Sequence, residues 1–388
     1  MQTKLRNWII GGAAFCMATS LFAGAKPGGY DDHERRLRAL EHHARRTTEQ
    51  NEGGRWGGVN PSARGCPLEW SFFMTLDFLY WRAQNTGFAY AYDQFEGFGA
   101  GLGGSSLGNY IRISHDWDPG FRVGVGFNTP YNGWDIFLNY TYYHNKSTDS
   151  VSRPPRFPGN TGDGLHPLWP GSAVVNADAF ENAFGLWRFN LNLIDLEIGR
   201  AYYISKALSF RPQWGVRAGW LYQDFFASFR DPANVNTERN NNFIGEDNYW
   251  GLGPRAGARA DWHLGYGFGI FGNATASLLY GKTMTYFLFE YENPINSLTF
   301  QAFNRMKDDF SQLVPNLQMQ LGLDWGMCFD DWFFFALNAS WEVNYWWGRL
   351  NLPVLIGGLS QGATTVVPAL STKPVTMEGV TFSAKLDF

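Results

Sequence analysis

The chain has 388 residues, of which 45% are hydrophobic, 18% aromatic and 17% charged, and its formal net charge is −4. A pI near 6.0 argues against a nucleic-acid partner, and three cysteines are too few for a disulfide-rich scaffold. Beyond the first 25 residues no run approaches the ~18 apolar residues of a spanning helix, so a membrane reading has to come from strands.

Lys4 and Arg6 precede a short apolar stretch, Trp8 to Phe22, and Ala23-Gly24-Ala25 offers a small-x-small cleavage site. This order predicts a secretory signal over residues 1–25. Phe15 is too bulky for a lipobox before Cys16. Removing residues 1–25 takes away Lys4 and Arg6 and moves the formal charge from −4 to −6. Residues 26–67 read as a periplasmic segment. Leu37, Leu40 and Ala44 have helical spacing within an arginine-rich stretch, 32–50, whose charges suit a solvated helix face. A linker runs from Gly53 to Pro67.

From Leu68 the period changes to two. Leu68, Trp70, Phe72, Met74, Leu76, Phe78 and Tyr80 share one face, with Glu69, Ser71, Thr75 and Asp77 on the other. This segment is expected to reach about Tyr92, before a glycine-rich loop. The next strand ends in Phe121, Val123, Val125 and Phe127, and Thr129 to Gly133 is a tight turn. Trp134, Ile136, Leu138, Tyr140 and Tyr142 begin a third strand, followed by a long loop over 145–182. A fourth strand, 184–203, changes apolar parity from Trp187/Phe189/Leu191 to Ile194/Leu196/Ile198, which predicts a β-bulge at Leu193-Ile194. After the turn Ser205-Lys206-Ala207 comes a strand marked by Phe210, Trp214, Val216, Ala218 and Trp220. The Asn-rich stretch 231–248 reads as a loop. Strands follow at about 249–262 (turning at His263-Leu264-Gly265), 267–292, 313–328 and 332–347, with loops over 293–312 and 348–375. Trp346 and Trp347 are assigned to an outer aromatic girdle. The last strand, Val380 to Phe388, alternates apolar and polar residues up to a terminal aromatic, the kind of ending read by outer-membrane insertion machinery.

Long loops alternate with short turns throughout, as in outer-membrane barrels with short periplasmic turns and longer external loops. The expectation is an all-β, transmembrane antiparallel up-and-down barrel over 68–388, of about ten strands within a range of ten to fourteen. It would lie in the bacterial outer membrane, in contact with lipid.

If apolar faces point to lipid, the interior receives Glu69, Asp77, Arg122, Asp135, Arg188, Asp195, Glu197, Arg211, Arg217, Arg255, Arg259, Asp261, Asp324, Glu342 and Lys385. Two readings of these charges stay open. They form a transverse field in a water-filled pore that passes small hydrophilic solutes or ions. Alternatively, they fill a closed lumen in a structural or adhesive surface barrel. No enzyme is expected. His115, Asp116, Asp118 and His144 are the best catalytic candidates, but both histidines have outward parity, and no nucleophile elbow, H-E-x-x-H or P-loop is visible. No cofactor or metal is expected. Cys66 and Cys328 would lie at the periplasmic rim, free, buried or cross-linking a homo-oligomer.

The stretches LDFLYWRAQNTGFAYA, GWDIFLNYTYYHNKS, NLIDLEIGRAYYISKALSFRPQWGVRAGW, FGNATASLLYGK and GVTFSAKLDF resemble the Legionella-type pore-forming outer-membrane protein family, which includes porins like the chlamydial major outer-membrane protein. The resemblance covers Leu68 to Phe388. It implies a porin-like barrel passing small solutes and brings no catalytic residues.

Overall fold

The computed structural model describes residues 71–85, 89–94, 108–129, 134–153, 164–168, 180–205, 207–231, 239–293, 298–329, 333–356 and 367–388. The expected signal peptide, the helical segment 26–67, Glu69 and Cys66 lie outside them.

In chain order the strands are β1 (Ser71–Asn85), β2 (Ala89–Gln94), β3 (Gly108–Arg112), β4 (Trp117–Asn128), β5 (Trp134–Ser152), β6 (Gly164–Pro167), β7 (Asn182–Arg200), β8 (Tyr202–Tyr203), β9 (Leu208–Asp231), β10 (Arg239–Gly265), β11 (Phe268–Asn293), β12 (Leu298–Phe329), β13 (Phe333–Ile356) and β14 (Val367–Asp387). Ten of them close a ring, β1-β4-β5-β7-β9-β10-β11-β12-β13-β14, in which β14 returns to β1 and every pair is antiparallel. The stub β8 adds to β9, and β3-β2-β6 form a small separate sheet on the long-loop side. The closing ladder runs from Phe73↔Asp387 to Asn85↔Val375. Phe388 and Phe72 exchange both backbone bonds at 2.9 Å, and Phe388 is 52% exposed on the outer face.

The outer face near the short turns is the lipid band. Phe72, Met74, Leu76, Phe78 and Tyr80 are all exposed and span nine residues of β1, within the ~9–11 that a tilted strand needs to cross the hydrocarbon. On β7 the band continues as Ile194, Leu196 and Ile198, and β12 contributes Met319, Leu321 and Leu323. Tyr80, Trp117 and Trp341 cluster at its outer margin, with ring centroids 5.6 and 6.0 Å apart, as interfacial aromatics do.

The strand count agrees with the sequence reading, but several boundaries and one irregularity do not: β5 runs on to Ser152 inside the expected loop 145–182, and the expected loop 348–375 is strand over 348–356 and 367–375. The first segment stops at Asn85, and Ala89–Gln94 joins the small sheet. The stretches 239–248 and 298–312, expected as loops from their polarity, are strand. They extend β10 and β12 beyond the membrane, where both faces of a ladder can meet water. The β10–β11 turn sits at Tyr266-Gly267, both with positive φ (55° and 80°), the geometry of a two-residue hairpin turn. No bulge occurs at Leu193-Ile194, because β7 keeps unbroken register with both β5 and β9. The parity change has another cause: Trp187, Phe189, Leu191 and Leu193 point into the barrel and are buried, whereas Ile194, Leu196 and Ile198 point to lipid.

A cation placed on the lipid face should be costly in proportion to its depth. Leu321→Arg is expected to lower unfolding stability in a bilayer by about 2–4 kcal/mol. Ser311→Arg, above the band on the same strand, should change it by less than about 0.5 kcal/mol. Denaturant titration of folded protein in lipid vesicles measures both.

Candidate functional site: the filled lumen

The interior has two halves. Toward the short turns it is polar, and toward the long loops it is apolar. The apolar half is one cluster that includes Trp81, Tyr143, Trp187, Leu193, Leu221 and Leu279, joined by Trp346 and Met377, all at most 1% exposed. Trp346 therefore belongs to the interior, and only its neighbour Trp347 faces out. Arg188 is also reassigned: since Trp187 and Phe189 turn inward at this height, Arg188 between them is exposed on the outer wall.

In the polar half, strand alternation brings Asp77, Arg122, Asp135, Asp195, Glu197, Arg211, Arg217, Arg255, Arg259, Asp261, Asp324, Glu342 and Lys385 to the inside. They are joined rather than opposed across water. Arg122 on β4 bonds Asp77 on β1 at 3.2 Å and Glu342 on β13 at 2.8 Å. Glu342 accepts from Gln318 on β12 at 2.6 Å, and Gln318 Oε1 accepts from Arg217 on β9 at 2.8 Å. β10 and β11 separate β9 from β12 in the wall, so this bond crosses the lumen. Arg217, 1% exposed, forks onto both oxygens of Asp195 on β7 at 2.6 and 2.7 Å. Asp195 also accepts from Arg255 on β10 at 2.5 Å, and Arg255 reaches Glu197 at 3.0 Å. One continuous chain of charge-assisted bonds thus links seven of the ten strands. Sequence reasoning missed the amides that complete it, Gln318 and Asn316, which look like ordinary polar positions of an alternating strand.

Nearer the short turns, Arg211 forks onto Asp135, and Arg259 Nε donates to Asp261 at 2.7 Å. Gly126 on β4 leaves room for the Phe73 ring, which an added Cβ would overlap. Phe73 in turn stacks on Phe137 and carries Lys385 Nζ 4.1 Å from its centroid. Between these levels lies a cavity of ≈ 140 Å³, lined by Asp77, Arg122, Asp195, Arg255, Arg259 and Lys385 among others. That is room for several waters. Lys385 Nζ, Arg259 Nη2, Asp324 Oδ1 and Asn338 Oδ1 are buried without a hydrogen bond to protein, so water is needed to satisfy them.

His115 and His144 are both engaged by neighbouring groups. His115 accepts a bond from the Asn85 N–H and stands edge-on to Trp187 at 5.3 Å, so it turns inward, against its expected parity. Burial lowers its pKa, favouring the neutral imidazole. His144 bonds Asn190 on the neighbouring strand. Among the described residues no group of His, Cys, Asp and Glu has metal-site geometry.

A closed antiparallel ring of ten strands, with an apolar band outside and polar residues inside, defines an outer-membrane β-barrel of the bacterial envelope. The sequence matches the family described as Legionella pneumophila major outer membrane protein precursor over residues 67–388, and the chain belongs to that family. No curated protein matches it. Solved structures it is similar to include a Pseudomonas aeruginosa FadL homologue (9% identity, 84% of this chain and 91% of that one, TM-score 0.28). Others are the Ralstonia pickettii toluene transporter TbuX (10%, 82% and 88%, 0.27) and the Escherichia coli outer membrane protease OmpT (10%, 82% and 96%, 0.34).

Removing one member of a buried ion network strands the others. Arg217→Met leaves Asp195 and Gln318 short of donors and is expected to cost about 3–5 kcal/mol. The check is the denaturant midpoint of the folded barrel, read from tryptophan fluorescence.

Proposed function

We propose that the protein is an outer-membrane channel for ions and small hydrophilic solutes, shut in the conformation described above. The observation that carries this reading is the contrast between the two halves of one lumen. The outer half shows that this barrel can be filled with apolar side chains. A buried ion network is weak evidence for stability, since well-packed apolar residues in its place are often neutral or stabilising. A barrel needing only rigidity gains nothing by keeping charges and a polar cavity at membrane depth. A conducting path does need them, because paired charges lining a passage set which ions and solutes enter. The residues facing that path are Arg122, Asp135, Asp195, Glu197, Arg211, Arg217, Arg255, Arg259, Asp261, Asp324 and Glu342. His115 and His144 are packing residues in this reading, with no catalytic role. Phe388, outward-facing at the periplasmic end of the closing strand, is the residue offered to the insertion machinery.

One observation favours a second reading, a closed surface barrel that displays its long loops. The charge network and the apolar cluster both cross the lumen. Purified protein in planar bilayers separates the two. Stepwise conductance, with reversal potentials altered by Asp195→Asn, supports the channel. Silence at all applied voltages, from protein shown to be inserted and folded, supports the closed barrel.

A further inference from the structure

Above the membrane band the wall is not continuous. β12 and β13 pair from Phe329↔Phe333 up to Asn316↔Trp346 and stop there, while β12 runs on toward Leu298 bonded to β11 alone. On the other flank, β1 leaves β14 at Asn85↔Val375. Beyond these points the β13–β14 ladder, Leu350↔Lys373 to Ile356↔Val367, has no neighbouring strand on either side among the described residues. It is an arm rising from the rim.

The arm has a joint at its root. The register steps from Trp346↔Val375 to Leu350↔Lys373, so three residues of β13 stand against one of β14. That one is Pro374, which has no N–H to give the ladder. In the extra segment Gly348 takes φ +59°, a conformation open to glycine at little cost.

The joint turns Arg349 inward, and the arm is tied to the far wall. Arg349 Nη2 lies 3.2 Å from Asp247 Oδ1. The Asn351 N–H donates to Asp247 Oδ2 at 2.8 Å, and Gln223 Nε2 donates to the Arg349 carbonyl at 2.7 Å. Asp247 is on β10 and Gln223 on β9, and β11 and β12 stand between these strands and β13 in the ring. All four residues are fully buried. Arg349 Nε and Nη1 have no partner, and its guanidinium lies 4.7 Å from the Tyr249 ring centroid. A pair so incompletely satisfied is a weak tie, because release returns both charges to water.

We propose that this β13–β14 arm is a lid, hinged at Gly348 and Pro374 and latched on Asp247, that closes the loop-side mouth of the barrel. The proposed movement rests on this geometry alone. Its consequence for solute passage rests on the channel reading.

The two are tested separately in protein refolded into lipid nanodiscs, with Cys66 and Cys328 replaced by Ser. Spin labels at Thr372→Cys on the arm and Lys307→Cys on β12 report their separation. The unsubstituted latch should give one distance. Asp247→Asn and Arg349→Gln should each add a longer population above about one molecule in ten. Gln223→Ala, which removes one bond and no charge, should do so to a smaller extent. Heat-modifiable migration on gels confirms that each variant is folded. Identical distance distributions in all three variants overturn the lid. In planar bilayers, Asp247→Asn should raise open probability several-fold. An arm that moves while every variant stays silent leaves the lid standing and defeats the channel reading instead.

Discussion

Everything in this molecule depends on the closure of the β1–β14 ladder. Within hydrocarbon no water satisfies an exposed N–H or C=O, so a sheet can cross only as a ring without edges. Once the ring is closed, alternation along each strand fixes two surfaces at once. One must be apolar for lipid, and the other is confined to a bore that ten strands make narrow. The interior is therefore settled by what the inward positions can do for one another. In the polar half they form a bonded chain from Asp77 through Arg122, Glu342, Gln318 and Arg217 to Asp195, Arg255 and Glu197. In the apolar half they pack as a core, in which each large side chain removed from water contributes about 1.5–3 kcal/mol.

The two halves differ because the wall passes from one solvent to another. At membrane depth the outward positions must be apolar, and the polar residues are left to face in. Above it the outward positions meet water, so the apolar residues can turn in and the charged ones out. β7 shows the exchange within a few residues, from exposed Arg188 between buried Trp187 and Phe189 to exposed Leu196 between buried Asp195 and Glu197.

That exchange also marks how far the sequence could be read. Ten strands, their order and the membrane-facing residues follow from period-2 alternation and from the rhythm of long loops and short turns. Alternation does not say which face is inside. Taking apolar as lipid-facing along whole strands puts Arg188 and His115 on the wrong side, Trp346 in the girdle, and a bulge where β7 only changes solvent. The polar extensions of β10 and β12 looked like loops because strands in water need no apolar face. The hydrogen bond from Arg217 to Gln318 that carries the network across the bore, and the contact between Arg349 and Asp247, join residues about a hundred positions apart. Nothing local announces them.

Closure also sets an order of events. Trp81 bonds Thr381 at a sequence separation of 300, so the first strand waits for nearly the whole barrel segment before its second edge is covered. Contacts this distant make folding slow, because the entropy of joining the ends is lost before the contacts reward it. The arginines and carboxylates of the bore cannot all pair until then. Through that interval the chain carries half-formed walls, with lipid-facing leucines and unpaired charges on opposite sides of one ribbon. Its safe passage to the membrane is a matter of time as much as of stability.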